Sequence, residues 1–241
     1  NPLVSNLMSF SKLFCETARG LPAKRERRKE ARPGELLAAA LELFVEKGYA
    51  ATRAEEVAMR AGVSKGTLFL YFASKEELFK AVVRDNISGR YPGWAAEFEA
   101  FEGNTTDMLR YAMNSWWTSV GATKASGISK LIMSEASNFP ELAAFYQKEV
   151  IEPGHALIRR ILQRGIDRGE IRPMDMNHAV HIVMAPLLYL VMCKHCYATF
   201  AEESAQMVPE EFLAAQVDAL MNGLGLHQID NATPDRKAKT E

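Results

Sequence analysis

The residues that could do chemistry on another molecule are concentrated in one short segment, residues 64–75. Its candidates for direct contact are Lys65, Gly66, Thr67, Phe69, Leu70 and Tyr71. A lysine ammonium can reach a guanine base or a phosphate, and the threonine and tyrosine hydroxyls can donate to phosphates. The two apolar side chains can touch thymine methyl groups, and the glycine lets a backbone approach closely. This combination is suited to double-stranded DNA.

The segment is predicted to be the second helix of a helix-turn-helix. At about 100° per residue, Leu68 and Phe72 fall on one face of a helix that Ser64 caps, and they can pack inward. The six candidate residues then lie on the outer face or its flanks. A three-residue turn at 61–63 joins this helix to a preceding one, and its central residue, Gly62, suits a positive φ. An ordinary helical hairpin would give the same spacing.

Neighbouring helices must position this pair. A first helix is predicted from about Pro33 to Lys47, followed by Gly48 as a stop. Thr52 is the predicted N-cap of the second helix, with Glu55 completing a capping box. A fourth helix is expected to begin after Ser74 and to run towards residue 88. No convincing strand alternation occurs, so the sequence predicts an all-α fold.

The residues of this region closely resemble the TetR/AcrR family of transcriptional regulators. The likeness rests on residues 48–52 (GYAAT), 56–58 (EVA) and 61–79 (AGVSKGTLFLYFASKEELF), and it extends over about 33–82. It implies a three-helix DNA-binding domain followed by a helical bundle that binds a ligand and forms a dimer. The family often has tyrosine in place of Phe69 and histidine or tyrosine in place of Leu70, so the base contacts here are expected to be more apolar.

The resemblance also implies roles for individual residues. The groove-facing positions are Lys65, Gly66, Thr67, Phe69, Leu70 and Tyr71. Thr52, Ser64 and Lys75 are expected to anchor phosphates at helix N-termini, where backbone N–H groups and the helix dipole favour anions. In the second half of the chain, residues 131–142 (LIMSEASNFPEL) look like the AefR-like regulatory domain of some family members, over about 125–200.

Charge is distributed unevenly along the 241 residues, whose formal net charge is −1. We expect four parts: a flexible basic arm (1–31), the DNA-binding domain (32–84), a regulatory and dimerisation domain (85–226) and a disordered tail (227–241). Arg25, Arg27, Arg28 and Lys29 make the arm basic. Since DNA is a polyanion, Arg27 and Arg28 are expected to contact phosphates without regard to sequence.

Aromatic and methionine side chains of the regulatory domain could line an effector pocket. The candidates are Met113, Trp116, Trp117, Phe145, Met184 and Tyr189. Adjacent tryptophans lie about 100° apart on a helix, so both are hard to bury in one core face. A largely apolar cavity of roughly 300–1,000 Å³ is expected. Each residue taken singly could equally be core.

The last two long helices, about 175–200 and 209–222, are expected to pair with their copies in a homodimer. Their apolar side chains offer more surface than one chain readily buries: Ile182, Ala185, Pro186, Tyr189, Val191, Leu213, Val217, Leu220 and Met221. The longest apolar run, 182–193, is too short to span a bilayer, and we read no secretory signal. We therefore expect no membrane contact and a cytoplasmic protein.

Other chemistry is weakly indicated. Cys193 and Cys196, with His178 and His181, could bind zinc or copper or form a redox switch, but small buried thiols fit the helical spacing better. We expect no metal and no cofactor. No nucleophile elbow, phosphate-binding loop or metalloprotease motif occurs, so an enzyme is not expected.

The function predicted from these residues is a repressor that a small apolar effector releases from a palindromic operator. Two alternatives stay open. One is a constitutive DNA-binding dimer whose bundle only dimerises, which a fully packed bundle would favour. The other is a helical enzyme carrying a helix-turn-helix, which a catalytic dyad in a wet cleft would favour.

Overall fold

The computed structural model describes residues 23–197 and 207–224, and this part of the chain is helical without any strand. The all-α prediction is confirmed. The helices are α1 (Ala23–Lys47), α2 (Ala54–Arg60), α3 (Lys65–Tyr71), α4 (Lys75–Asn86), α5 (Tyr91–Glu99), α6 (Thr105–Trp116), α7 (Ser126–Glu135), α8 (Pro140–Tyr146), α9 (Glu152–Asp167), α10 (Met176–Met192) and α11 (Pro209–Leu224).

Helices α1 to α4 enclose their own apolar core. Phe44 of α1, Leu68 of α3 and Phe79 of α4 are all fully buried. The rings of Phe44 and Phe79 meet edge to face, 5.3 Å between centroids, which is a favourable aromatic geometry. This core fixes α3 against α1 and α4, and so decides which face of α3 stays outside.

Local signals define the turns of this domain with one exception. Ser64 and Ser74 cap α3 and α4, and Gly62 has φ +68°, as predicted. The N-cap of α2, however, is Arg53, whose N–H donates to Glu56 Oε2 at 3.3 Å. The prediction of Thr52 and Glu55 is therefore wrong by one residue, because the Thr52 hydroxyl is used elsewhere.

The first helix begins earlier than Pro33 predicts. Its backbone is helical from Ala23, and Pro33 lies inside it. Thus residues 23–31 of the basic segment belong to α1. The first 22 residues and the tail after residue 224 lie outside the described residues, as do the predictions made for them.

The regulatory bundle comprises α5 to α11 and, within the described residues, contains π-helical turns. These turns are 117–121 after α6, 147–151 between α8 and α9, and 193–197 after α10. The chain passes from α4 into the bundle through a single 3₁₀ turn, 88–90. Pro92 occupies the first turn of α5, which proline tolerates.

Candidate DNA-binding surface and effector cavity

The outer face of α3 carries three large apolar or aromatic side chains in contact with solvent. Leu70 is 84% exposed, while Phe69 and Tyr71 are exposed by 39% and 37%. Leu68, which directly precedes them, lies on the opposite face and is fully buried. The predicted inward and outward faces of α3 are therefore confirmed. A short helix that exposes this much apolar area is expected to meet another surface.

Polar groups at the start of α3 hold one another in place. The Ser64 Oγ accepts a hydrogen bond from the Thr67 N–H at 3.1 Å, and the two hydroxyl groups are 2.9 Å apart. Lys65 pairs with Glu55 of α2, and its ammonium lies 5.8 Å from the centre of the Phe69 ring. The Glu55 carboxylate, predicted to complete a capping box with Thr52, instead neutralises Lys65.

Two of the three predicted phosphate anchors have other partners. Thr52 is 1% exposed, and its hydroxyl donates to the carbonyls of Leu43 at 3.1 Å and Gly48 at 2.7 Å. A buried side chain cannot reach a phosphate, so that prediction is wrong for the Thr52 side chain. The Lys75 ammonium donates to the Tyr49 carbonyl at 2.9 Å, and burial lowers its pKa. Ser64 stays exposed at the start of α3.

For the basic segment, the structure describes only the helical backbone from residue 23 onwards. Arg27 and Arg28 lie in the helical backbone of α1, and their side chains lie outside the described residues. Their contact with phosphates stays a prediction.

A small apolar cavity lies between α5, α6, α9 and α10. Its lining is Tyr91, Trp94, Phe98, Ala112, Met113, Trp116, Gly154, Leu157, Ile158, Met184 and Leu187. Three of the six predicted pocket residues line it: Met113, Trp116 and Met184. The Tyr91 hydroxyl donates a hydrogen bond to the Val150 carbonyl at 2.6 Å, so it is already satisfied by the protein. The cavity therefore offers an almost purely apolar environment.

The other three predicted pocket residues lie elsewhere. Trp117 is buried next to the cavity without lining it, and the Phe145 ring packs under Arg84 and Lys80 of α4. Tyr189 is 47% exposed on α10, with its ring 5.8 Å from that of Phe212. The prediction is wrong for these three because helical spacing shows which residues share a face, but not which neighbouring helix covers that face.

The cavity is much smaller than expected. Its volume is about 40 Å³, room for a few water molecules at most. A larger space of about 660 Å³ lies on the surface beside α5 and α6, but it is an open groove bordered by Arg110, Asn114 and Thr118. A cavity of several hundred Å³ is thus not found where Met113, Trp116 and Met184 come together.

The histidines and cysteines of the bundle do not converge. His178 pairs with Asp175, His181 stacks against His155, and His195 Nε2 lies 2.8 Å from Ser126 Oγ. Across the ranges that the structure covers, no three potential ligands form a metal-binding group. Ser126 is fully buried, so its proximity to a histidine does not make it an accessible nucleophile.

One face of α10 exposes a strip of apolar side chains. Ile182, Leu188 and Tyr189 are each about half exposed, and Ala185 lies between them. By contrast, Val191, Leu213 and Val217 of the predicted dimer surface are already buried within the single chain. The prediction is wrong for those three: Leu213 and Val217 are buried where α11 packs on α6 and α10, and Val191 is buried on α10 itself. The candidate interface is therefore the α10 strip and the outer side of α11.

Length and composition alone would allow Met176–Cys196 to cross a membrane. An 18-residue stretch within this segment has a mean hydropathy of 1.5, and 33% of the stretch is buried. An apolar helix that is only one-third buried within its own chain also suits an interface between two copies of a protein.

Comparison with known proteins assigns both halves of the chain. Residues 36–82 match the model of bacterial regulatory proteins of the tetR family, and residues 102–220 match the tetracyclin repressor-like C-terminal domain. The more specific likeness to the AefR-like domain stays a prediction.

Two curated relatives are both transcriptional regulators. The HTH-type transcriptional regulator RutR of Escherichia coli is 42% identical over 194 residues, which covers 75% of this chain and 80% of RutR. The HTH-type transcriptional activator FasR of Mycolicibacterium smegmatis is 45% identical over 65 residues, 27% of this chain and 30% of FasR.

Solved structures share the fold. The transcriptional regulator FadR of Bacillus subtilis, in complex with stearoyl-CoA, superimposes with a TM-score of 0.59 at 17% identity. The superposition covers 79% of this chain and 98% of that chain. At this identity, the likeness establishes the arrangement of the two domains and no more.

Proposed function

This chain belongs to the TetR family of DNA-binding transcriptional regulators, which are not enzymes, and we propose that it is a homodimeric repressor released from its operator by an apolar effector. The observation that carries the DNA-binding site is the outer face of α3, where Phe69, Leu70 and Tyr71 are exposed beside Lys65. We infer that α3 enters the major groove.

The operator is a palindrome because a two-fold dimer presents two copies of α3 in opposite directions. Its half-sites lie about one helical turn apart or slightly more. Apolar contacts from Phe69 and Leu70 favour thymine methyl groups within each half-site, and Lys65 exchanges Glu55 for a phosphate or a guanine. Ser64, Thr67 and Tyr71 add contacts to the backbone of the DNA.

Dimer formation uses the α10 strip. Burying Ile182, Leu188 and Tyr189 against a second copy removes their exposed apolar area from water, which favours association. Because bacterial DNA lies in the cytoplasm, a regulator that binds it acts there.

The effector enters the bundle at the cavity that Met113, Trp116 and Met184 line. Because the cavity holds about 40 Å³, an effector must part α5 and α6 from α9 and α10 in order to bind. A ligand that prefers the parted bundle shifts the dimer towards a spacing of the two α3 helices that no longer fits the operator. The stearoyl-CoA held by FadR supports an effector with an extended apolar portion.

Repression is the proposed direction because occupation of an operator blocks transcription without a second surface, whereas activation needs contact with the polymerase. The match to the activator FasR covers 30% of that protein and does not decide the direction. A transcription assay in vitro on a template that carries the selected operator measures it.

The test begins with selection of bound sequences from a random duplex pool, followed by titration of the selected duplex. We expect a two-fold symmetric site. Selection of no sequence by the purified dimer would contradict the proposal.

Effector binding is then followed by tryptophan fluorescence with a series of apolar compounds, including fatty acids and acyl-CoA. Trp116→Phe should weaken the signal more than Trp117→Phe, because Trp116 lines the cavity together with Trp94, whereas Trp117 does not. A bound ligand that never releases DNA would favour the second candidate, a constitutive DNA-binding dimer. The small volume of the cavity is the observation in favour of that alternative.

A further inference from the structure

A single carboxylate joins the regulatory bundle to the turn between α1 and α2. Glu135, the last residue of α7, accepts a hydrogen bond from the Tyr49 N–H at 2.6 Å on Oε1 and from the Ala50 N–H at 3.1 Å on Oε2. Both donors belong to consecutive residues of the DNA-binding domain. Hydrogen bonds to an ionised acceptor are about twice as strong as neutral ones, so this is a strong contact between the domains.

The conformation of the turn is adapted to this contact. Gly48 has φ +85°, which L-residues rarely adopt, and a Cβ at this position would lie 2.5 Å from Glu135 Oε1. The Lys75 ammonium donates to the carbonyls of the same two residues, Tyr49 and Ala50. The turn is therefore held between a negative group from α7 and a positive group from α4.

The Tyr49 side chain adds an apolar anchor beside the polar one. Its ring stacks on Phe44 of α1 and meets Phe79 of α4 edge to face, 5.5 Å between centroids. The fourth ring, Phe139, follows α7 in the regulatory domain and lies 4.8 Å from Tyr49. Glu135 and Phe139 thus hold the backbone and the ring of the same residue.

The opposite end of α7 is tied to α10. Ser126, the first residue of α7, contacts His195 at 2.8 Å, and Lys194 donates to the carbonyls of Gly121 and Thr123 at 2.9 and 2.7 Å. Lys194 and His195 lie in the π-helical turn that continues α10, the helix with the exposed apolar strip. With ten residues at about 1.5 Å each, α7 spans about 15 Å between these two attachments.

We propose that Glu135 is a positioning residue for operator recognition: through α7 it fixes the orientation of the DNA-binding domain on the dimer, and thereby the distance between the two α3 helices. This inference rests on the proposed function. Glu135 contacts no DNA in this arrangement. Its effect appears only when both half-sites must be occupied at once, because then the separation of the two domains decides how much the second contact adds.

The test compares wild type with Glu135→Gln. The variant preserves the shape of the side chain, but it places an amide NH₂ opposite one of the two backbone N–H groups and removes the charge. Glu152→Gln is the matched control, because Glu152 is an exposed carboxylate on α9 that accepts no hydrogen bond from the DNA-binding domain within the described residues. Thermal unfolding establishes that each variant is folded.

Two kinds of duplex, taken from the sequence that wild type selects, separate the roles. One carries a single half-site; the other carries two half-sites, at the selected spacing and at spacings changed by about one or two base pairs. For Glu135→Gln, affinity for the single half-site should stay within about twofold. Affinity at the selected spacing should fall about tenfold, and the preference for that spacing should flatten. Glu152→Gln should behave as wild type.

An unchanged spacing profile in Glu135→Gln would overturn the inference. Equal losses on single and double half-sites would also overturn it, since they would indicate a purely structural role. Glu135→Asp, whose carboxylate is one methylene shorter, supplies the same comparison if Glu135→Gln does not fold. Failure of wild type to select any sequence would contradict the proposed function instead, so the two failures are distinguishable.

Discussion

Two helices of this protein expose large apolar side chains, and they do so in opposite chemical settings. α3 has seven residues and presents Leu70 next to Lys65, Thr67 and Tyr71, with Glu55 of α2 close by. α10 has seventeen residues without a single Asp, Glu, Lys or Arg, and it presents Ile182, Leu188 and Tyr189.

Exposure alone therefore does not identify the partner of an apolar surface. Beside α3, hydrogen-bond donors and an exchangeable ion pair suit a polyanion with methyl groups in its groove. Beside α10, the absence of charge suits a partner that is itself apolar, which a second copy of the same strip provides. The hydropathy of α10 would equally suit a membrane, and the family to which the chain belongs argues for the dimer.

The largest loss of stability or binding is expected for two leucines on opposite sides of α3, Leu68 and Leu70. Leu68→Ala should destabilise the protein by about 2–5 kcal/mol, because Leu68 is fully buried in the core of the DNA-binding domain. Leu70→Ala should leave the free energy of unfolding nearly unchanged and weaken specific DNA binding by about 1–3 kcal/mol. Urea unfolding and DNA titration measure the two effects. A stability loss at Leu70 without a binding loss would show that its exposed face has no DNA partner.

Charge placed on the α10 strip should abolish dimer formation. Ile182→Lys combined with Leu188→Lys would bury two unpaired ammonium groups in the proposed interface, which is strongly unfavourable. We expect a monomer by light scattering and an affinity for the two-half-site operator reduced about 100-fold. Met133→Lys, at an exposed apolar position of α7, is the control and should remain dimeric. Persistence of the dimer in the double variant would place the interface elsewhere.

Thr52 sharpens the boundary of the DNA-binding surface. Thr52→Val removes the hydroxyl that satisfies the Leu43 and Gly48 carbonyls, so it should cost about 1–3 kcal/mol of stability. Thr52→Ser preserves the donor and should cost less. A change in DNA affinity without a change in stability would restore Thr52 as a phosphate contact.

The sequence predicts the DNA-binding domain better than the bundle because its signals are local. Ser64 and Ser74 cap the helices that follow them, and Gly62 adopts the positive φ that its position requires. The shift of the α2 N-cap to Arg53 was not predictable, since it depends on the Thr52 hydroxyl finding carbonyls of α1.

In the bundle, the decisive information is which helix covers which face. Met113 and Trp117 are both buried, yet only Met113 lines the cavity, because α9 and α10 close over its side of α6. Glu135 gave no signal at all in the sequence: its partners, Tyr49 and Ala50, are 86 and 85 residues away. The π-helical turns likewise leave no periodic trace in the apolar pattern.

The smallest effect is expected from salt, which should distinguish DNA binding from association of the two copies. If Arg27 and Arg28 contact phosphates, Arg27→Gln with Arg28→Gln should flatten the slope of log affinity for DNA against log salt by about two units, since each phosphate contact adds about 0.9. The control pair Arg159→Gln with Arg172→Gln, on the exposed side of the bundle, should leave the slope unchanged. Dimer association through the uncharged α10 strip should vary little over the same range, because burial of apolar area releases no condensed counterions. Isothermal DNA titrations and sedimentation at matched salt concentrations supply both slopes. A steep salt dependence of the dimer would mean that ion pairs, and not the α10 strip, hold the two copies together.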